Sequence, residues 1–331
     1  AEYMGPALSI SFAETQIDYG MCGRTRCTLR VEDIRHACHR TSEPTRTIGV
    51  DRYRPSYNVG PGWNMPVVCI DREASNEEEV AYAVRIMKWG LVPSFTKKNE
   101  KPNFFKMFNA RCESMAEKVS FRRLLPKNRC LVTVDGFYEW KKNGSKKQPY
   151  YIHFKDGRPL VLAGLFDSWN DSEGETLTTF TIVTTSSSPS LRWLHDRMPV
   201  ILGCKEATDK WLSSSNYEAV LNSYDKPDLV WYPVSSEIGK LSFDGPDCVK
   251  EIRLQSEQKG SISKFFSRKE PKREELCEGG GKKRSLNVEV GKEVVEEKDV
   301  KVKRGVDEIS ADSDTKFSSP KKEVRSFHDN M

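Results

Sequence analysis

Residues 129–165 read RCLVTVDGFYEWKKNGSKKQPYYIHFKDGRPLVLAGL, and this stretch determines the fold class. It contains four runs rich in β-branched and aromatic residues. Turn signals separate the later runs, because Asn143-Gly144 is typical of a hairpin and Asp156-Gly157 marks a second turn. A fifth run, 178–184, alternates Thr with Phe, Ile and Val. This succession predicts an antiparallel meander that curls into a barrel-like sheet.

Helices are predicted to be short and peripheral. Val31, Ile34 and Cys38 share one face of a helix over residues 31–38, and two further helices are predicted over 206–212 and 217–221. The fold class is therefore α+β, with a mainly antiparallel barrel-like sheet and peripheral helices.

Composition divides the 331-residue chain into three parts. Residues 21–255 contain all seven tryptophans and are predicted to form one globular domain. Residues 256–331 are dominated by Lys, Glu, Ser, Asp and Gly, so this tail is predicted to be disordered. Residues 1–20 form an N-terminal extension.

Several classes of protein are disfavoured by the sequence. Nine cysteines at irregular spacing indicate reduced thiols in an intracellular protein rather than a disulfide framework. The extension has three acidic residues and no Lys or Arg, unlike a targeting peptide, and no apolar run reaches membrane-spanning length. The net charge of +5 is compatible with nucleic acid as a partner, and equally with simple solubility.

Cys22 follows Met21 directly and could become an N-terminal cysteine. Such a residue carries an α-amine and a thiol on adjacent carbons, so it can capture an aldehyde first as a Schiff base and then by ring closure through sulfur. These groups ordinarily titrate near ~7.7–8.0 and ~8.5, so both nucleophiles are partly available at neutral pH.

Two polar positions are candidates for proton transfer. Glu139 lies between bulky aromatic residues, where partial desolvation favours the neutral acid, although a lone strand Glu more often faces solvent. His195 lies beside Asp196 and Arg197, and imidazole suits proton transfer at physiological pH. The alternative for His195 is packing or capping at the start of a helix.

Trp89, Asn109 and Arg111 suggest a surface for single-stranded nucleic acid. Aromatic and guanidinium groups together suit a groove in which bases stack and phosphates pair with Arg. For Trp89 alone, burial in the core is the commoner outcome. A metal site is disfavoured, because Cys22, Cys27, His36, Cys38 and His39 lack paired Cys-x2-Cys spacing.

The motifs occur together in a recognisable order. The chain resembles the SRAP (SOS response-associated peptidase) family of abasic-site processing proteins over residues 21–250. The motifs that carry the resemblance are Met21-Cys22-Gly23-Arg24, Ser56-Tyr57-Asn58, Trp89-Gly90-Leu91-Val92-Pro93, Asn109-Ala110-Arg111, Gly136-Phe137-Tyr138-Glu139-Trp140, Ala163-Gly164-Leu165-Phe166 and His195-Asp196-Arg197-Met198-Pro199.

The resemblance implies an SRAP fold and a DNA–protein crosslinking enzyme with lyase-type and possible self-cleaving peptidase activity. Cys22 would form a thiazolidine with the ring-opened abasic sugar, assisted by Asn109, Glu139 and His195. The residues implied to contact single-stranded DNA are Arg24, Asn58, Pro61, Trp89, Arg111, Trp140 and Arg197. The resemblance also implies a nuclear protein in the DNA damage response, and we expect a monomer that needs no cofactor.

The residues before Cys22 depart from the family pattern. Family members generally have only an initiator methionine there, and an acylated Cys22 nitrogen cannot form an imine. Either Met21 is the true start, or the extension is removed by cleavage, or this form does not crosslink. We favour Met21 as the start, because the extension has no targeting pattern.

The tail contains a second candidate site at residues 259–266, where Ile262, Phe265 and Phe266 have the spacing of a peptide that binds the sliding clamp PCNA. The usual first-position Gln is displaced to Gln258. Short basic runs, 282–284 and 320–322, could act as nuclear import signals or could only aid solubility.

Two other classes of function remain open. Cys22 with His195 or Glu139 could act as a thiol peptidase on the chain's own amino end or on other proteins. Alternatively, the chain could be a replication-associated binding module in which the tail makes the important contacts.

Overall fold

The computed structural model describes residues 23–41, 45–75 and 80–254, and every structural statement below concerns these residues. Their strands are β1 (Arg24–Cys27), β2 (Thr45–Ile48), β3 (Ser56–Val59), β4 (Asn64–Ile70), β5 (Tyr82–Trp89), β6 (Asn109–Arg111), β7 (Arg129–Val134), β8 (Gly136–Asn143), β9 (Lys146–Phe154), β10 (Leu160–Asn170), β11 (Thr176–Ser186), β12 (Arg197–Pro199) and β13 (Leu229–Pro233). The α-helices are α1 (Val31–Ala37), α2 (Cys112–Met115), α3 (Val119–Arg122) and α4 (Lys205–Ser213). The 3-10 helices are Val50–Arg52, Tyr217–Val220, Ser236–Gly239 and Pro246–Val249.

Five strands close into a barrel, as the sequence predicts. Antiparallel pairing joins β11 to β10, β10 to β7, β7 to β4 and β4 to β5. A short parallel pairing of β5 with β11, Thr179 opposite Lys88 and Phe180 opposite Trp89, completes the ring. Closure removes the free edges of these five strands over the paired region.

The barrel strands are apolar on both faces because both faces are covered. Val132 lies between Leu162 and Val67 in the ladder, and all three belong to one core cluster. The adjacent Leu131 lies between Ala163 and Val68 in a second cluster. Successive side chains of a strand point to opposite faces, so β7 separates two cores and has no solvent face.

The predicted single meander is wrong in its connectivity. β8 and β9 form the predicted hairpin, with Gly144 in the left-handed region at the turn, but they belong to a second sheet with order β13-β9-β8-β1-β3. β7 pairs instead with β10, the strand that follows this hairpin in the chain. The chain changes sheet at Asp135, whose carboxylate accepts from the Thr28 backbone N–H at 2.6 Å and whose own N–H donates to the Arg26 carbonyl.

The helices are peripheral, as predicted. α1 buries Ile34, with Cys38 buried just after its end, and α4 buries Trp211 and Leu212. The predicted helix over 217–221 is a 3-10 helix ending at Val220. Among the described residues, no helix is both long and apolar enough to cross a membrane.

Candidate active site

β6 brings Asn109 and Arg111 to the edge of the barrel. It pairs in parallel with β11, so that Asn109 lies opposite Ile182 and Arg111 opposite Thr184. Arg111 is exposed. The amide Oδ1 and Nδ2 atoms of Asn109 are both inaccessible to solvent and have no hydrogen-bond partner among the described residues. A buried amide without partners is costly to fold, so this side chain is suited to a ligand or to another part of the chain.

Arg197 reaches the same part of β11 from the other side. β12 pairs Arg197 with Ser186, and the guanidinium donates to the Thr184 carbonyl at 2.9 Å. Its two terminal nitrogens also donate to the Glu113 carboxylate at 2.5 and 2.8 Å. This bidentate bond holds the pKa of Glu113 at about 2, against an ordinary value of 4.5. The Arg197 guanidinium is therefore fixed in position by Glu113 and Thr184.

His195 lies two residues before Arg197 in the loop that connects β11 to β12. Its Nδ1 accepts from the Arg197 backbone N–H at 3.1 Å and lies 3.0 Å from a carboxylate oxygen of Asp196. Both contacts are made by Nδ1, and Nε2 has no hydrogen-bond partner among the described residues. Nε2 is therefore the atom with which His195 can exchange a proton with a ligand.

Glu139 and Trp140 lie in the other sheet, on β8. The Glu139 side chain is buried, at 4% exposure for the residue, and one oxygen accepts from the Trp140 backbone N–H at 3.1 Å. Trp140 is half-buried. β1 runs antiparallel to β8 with Arg24 opposite Tyr138, and the described chain begins one residue earlier at the buried Gly23.

Trp193 joins these two groups. It lies in the His195 loop, and its ring packs edge-on against Tyr150 with centroids 5.0 Å apart. Tyr150 is the cross-strand partner of Glu139. The Lys141 ammonium lies 4.6 Å from the centre of the Trp193 ring. The loop that carries His195 is thus anchored on the hairpin that carries Glu139.

Four of the predicted DNA contacts are buried in this conformation. Arg24 is only 3% exposed and donates to Asn58 Oδ1 at 2.8 Å and to the Ile238 and Gly239 carbonyls. Asn58 is fully buried, and its Nδ2 donates to the carbonyls of Ile238, Lys240 and Phe243. These two side chains tie β1 and β3 to the segment around 238–243. Their polar groups satisfy backbone atoms there.

Trp89 is the third. Its side chain is 0% exposed, its ring stacks near Phe180, and its Nε1 donates to the Phe108 carbonyl at 2.9 Å. The alternative interpretation, a core tryptophan, therefore applies. Pro61 is also buried. Of the predicted DNA contacts, Arg111 is exposed, while Trp140 and Arg197 are partly exposed.

Sequence reasoning missed Glu113 and Trp193. Glu113 comes two residues after Arg111 in the chain, but only the β6–β11–β12 arrangement places it against Arg197. Trp193 directly precedes the Leu194-His195 motif, and its aromatic character was the available signal. Cys22, Ile262, Phe265 and Phe266 lie outside the described residues. Within the described ranges, no group of three or more His, Cys, Asp or Glu side chains is arranged to hold a metal ion.

The barrel and the polar cluster along β11 define a mixed β-barrel domain with a candidate site built from both sheets. Comparison with known families identifies the class: residues 21–241 match the SRAP family, described as SOS response associated peptidase, and the chain belongs to this family.

Its relatives span bacteria and vertebrates. Abasic site processing protein HMCES of Xenopus tropicalis is 35% identical over 77% of this chain and 88% of its own length. Abasic site processing protein YoqW of Bacillus subtilis is 38% identical over 70% of this chain and 99% of its own. A crystal structure of a protein from Bacteroides thetaiotaomicron superposes with a TM-score of 0.57 at 25% identity, covering 70% of this chain and all of its own. The barrel-like architecture is thus a fold already seen experimentally.

Proposed function

We propose that this chain processes abasic sites in single-stranded DNA by forming a covalent crosslink through Cys22, which shields the lesion. The relatives in the preceding comparison are named for abasic-site processing, and this supports the choice of substrate. The chemistry of an N-terminal cysteine supports the choice of reaction, because an abasic deoxyribose opens to an aldehyde.

The β1–β8 register is the observation that carries the proposal. Arg24 lies opposite Tyr138 in this antiparallel pair. The residue before Arg24, Gly23, is therefore next to the residue after Tyr138, Glu139. Cys22 is bonded to Gly23, and consecutive Cα atoms are about 3.8 Å apart. The end of β1 that leads to Cys22 borders the buried carboxyl of Glu139, and this supports Cys22 as the nucleophile.

The reaction balances without a cofactor. The free α-amine of Cys22 adds to the aldehyde carbon, and loss of one water gives an imine. The thiol then adds to the same carbon, its proton passes to nitrogen, and a five-membered thiazolidine results. If the imine is not captured by sulfur, loss of the 3′ phosphate by elimination gives lyase-type strand cleavage.

Six side chains have roles in this scheme. Glu139 exchanges the protons needed for sugar opening and water loss, because a buried carboxyl is an effective acid–base group. Asn109 supplies an amide that the described part of the chain leaves unpaired, for the sugar or for Cys22. His195 exchanges a proton through Nε2. Arg111 and Arg197 offer positive charge to phosphates, and Trp140 offers a ring for stacking.

The scheme requires that residues 1–21 be absent from the active form, since an amide nitrogen cannot form an imine. Mass spectrometry of the expressed long form tests whether the chain cleaves itself between Met21 and Cys22. Cleavage that Cys22→Ala abolishes would support the peptidase activity that the family description records.

Crosslinking is tested with a form that starts at Met21, the long form, and Cys22→Ala in the shorter form. Each is mixed with a single-stranded oligonucleotide carrying one abasic site and analysed on a denaturing gel. We expect a shifted band from the Met21-start form alone. Cys204→Ala is the matched control, because Cys204 is an exposed free thiol elsewhere on the domain, and it should crosslink normally.

Two outcomes would overturn the proposal. Absence of the band with the Met21-start form would exclude crosslinking. A band from the uncleaved long form would exclude the amine mechanism.

The proposal has two further parts, which concern the tail and the cell compartment. Ile262, Phe265 and Phe266 are proposed to bind PCNA, and the protein is proposed to act in the nucleus as a monomer. Pull-down of PCNA by wild type and by Phe265→Ala/Phe266→Ala tests the first point, and equal recovery by both would reject it.

A further inference from the structure

A cavity of about 270 Å³ lies beside the turn between β3 and β4. Its lining residues are Arg52, Arg54, Gly62, Trp63 and Asn64. We call it the Trp63 cavity. Its volume is close to the lower limit of about 300 Å³ for small-molecule sites, which suits a ligand of about one nucleotide.

The cavity has positive charge that is not neutralised. Arg54 is exposed and donates to the backbone carbonyls of Asp51 and Tyr53, at 2.6 and 2.8 Å. Arg52 is also exposed and donates to the Ile86 carbonyl at 3.3 Å. Neither guanidinium forms an ion pair with a carboxylate of the described residues, and the lining contains no Asp or Glu. Two such groups at one cavity favour a phosphate.

The backbone around Arg52 is shaped to hold this arrangement. Gly49 has φ +74, which favours glycine, and the Arg52 guanidinium lies over this turn with Nη2 2.4 Å from where a Cβ would be. Asn64 Nδ2 donates to the Arg52 carbonyl at 3.2 Å and connects this loop to the start of β4. The loop that carries Arg52 is thus attached to β4, the strand that begins directly after Trp63.

The opposite wall is aromatic. Trp63 is half-buried and packs against the core, which leaves part of its indole at the cavity. Lys88 lies directly across the ladder from Asn64, and its ammonium lies 5.1 Å from the centre of the Phe104 ring. A rigid indole beside guanidinium groups is the composition that binds unpaired bases through stacking.

From this geometry we infer that the Trp63 cavity binds one unpaired nucleotide of a DNA strand, with its base on Trp63 and its phosphate between Arg52 and Arg54. That the strand is DNA rests on the proposed function. The inference also adds a surface contact to a segment in which two predicted contacts are buried. Asn58 and Pro61 are buried, and the same segment reaches the surface immediately afterwards at Trp63.

The test measures binding of a fluorescein-labelled oligothymidylate without an abasic site to the full chain, by anisotropy across a salt series. Arg54→Ala should make the slope of log affinity against log salt shallower by about 0.7, the value for one phosphate contact on a single strand. Trp63→Ala should weaken binding about tenfold, and Trp63→Phe, which keeps a ring, should weaken it less. Circular dichroism melting verifies that each variant folds.

Arg122→Ala is the matched control, because it removes one exposed positive charge from α3 and should leave both affinity and slope unchanged. A duplex of matched length is the second control, since its paired bases cannot stack on Trp63. The inference is overturned if Arg54→Ala and Trp63→Ala bind the single strand as Arg122→Ala does. It is equally overturned if Trp63→Ala weakens binding to duplex as much as to single strand.

Failure of this inference and failure of the proposed function give different results. If the Trp63 cavity does not bind DNA, the Met21-start form still crosslinks abasic DNA and the variants match the control in binding. If crosslinking does not occur, the gel shows no adduct while the binding differences among the variants persist.

Discussion

The Glu113 carboxylate holds the Arg197 guanidinium through two hydrogen bonds of 2.5 and 2.8 Å, although 84 positions separate the residues in sequence. A phosphate that binds Arg197 must share or replace these bonds. Glu113 therefore sets both the position of the guanidinium and the ease with which an anion can reach it.

Glu113→Gln should lower stability in a pH-dependent way. The folded-state pKa of Glu113, about 2, is below its ordinary value of 4.5, so its contribution is complete above pH 4.5 and is lost as the pH falls towards 2. Because the side chain is half exposed, we expect a loss at neutral pH of no more than about 1 kcal/mol. Urea unfolding of both proteins across this pH range measures the difference.

The control for that measurement is Glu117→Gln, an exposed glutamate that is not ion-paired in the described structure. It should match wild type at every pH. If the stability loss in Glu113→Gln stayed constant down to pH 2, the bond between Glu113 and Arg197 would not depend on the charge of the carboxylate.

Asn109→Leu should separate function from stability. Because both polar atoms of the Asn109 amide are buried without partners in the described structure, an apolar side chain of similar shape removes a desolvation cost. We expect the free energy of unfolding to rise by about 1 kcal/mol while the crosslinking rate falls. Thermal melting and the denaturing-gel assay measure the two effects.

Asn128→Leu provides the comparison, since Asn128 Nδ2 donates to the Phe166 carbonyl at 3.1 Å and this bond would be lost. That variant should be destabilised and should crosslink at the wild-type rate while folded. If Asn109→Leu were destabilised to the same extent, the amide would have a structural partner.

Asn58→Leu should act through folding rather than through DNA contact. It removes the Oδ1 acceptor of one Arg24 hydrogen bond and the Nδ2 donor to the carbonyls of Ile238, Lys240 and Phe243 in a buried region. A loss of about 2–4 kcal/mol is expected for breaking such a network. The affinity for single-stranded DNA, measured below the melting temperature, should not change, and a weaker affinity of the folded variant would support Asn58 as a residue that lines the DNA path.

Gly90→Ala should destabilise the barrel. Gly90 has φ +112, and a Cβ there would lie 2.1 Å from the Phe104 carbonyl oxygen. The left-handed conformation and the clash with backbone together should cost more than about 2 kcal/mol. Gly144→Ala has φ +60 but no atom within 4 Å of the added Cβ, so its cost should stay near 1 kcal/mol. Chemical denaturation measures the loss in the free energy of unfolding for both variants. Equal losses would show that the structure shifts to relieve the clash with the Phe104 carbonyl.

Local pattern predicts strands β7 to β11 and the hairpin turn at Asn143-Gly144. It cannot predict that β8 leaves the sheet of β7, because the choice depends on the Asp135 carboxylate meeting Thr28, more than 100 positions away. The same limit applies to site residues. Arg24, Asn58 and Trp89 have side chains suited to nucleic acid, but partners distant in sequence, such as Ile238 and Phe180, place them inside the protein.

The short parallel seam between β5 and β11 has a consequence for the order of folding. Lys88 and Trp89 must find Thr179 and Phe180, about ninety residues further along, after the intervening antiparallel pairs have formed. Closing so long a loop costs conformational entropy, and only two paired positions offset that cost. This contact should therefore form late and limit the folding rate. Trp89 and Phe180, which stack across the seam, would then report the final step of folding through tryptophan fluorescence.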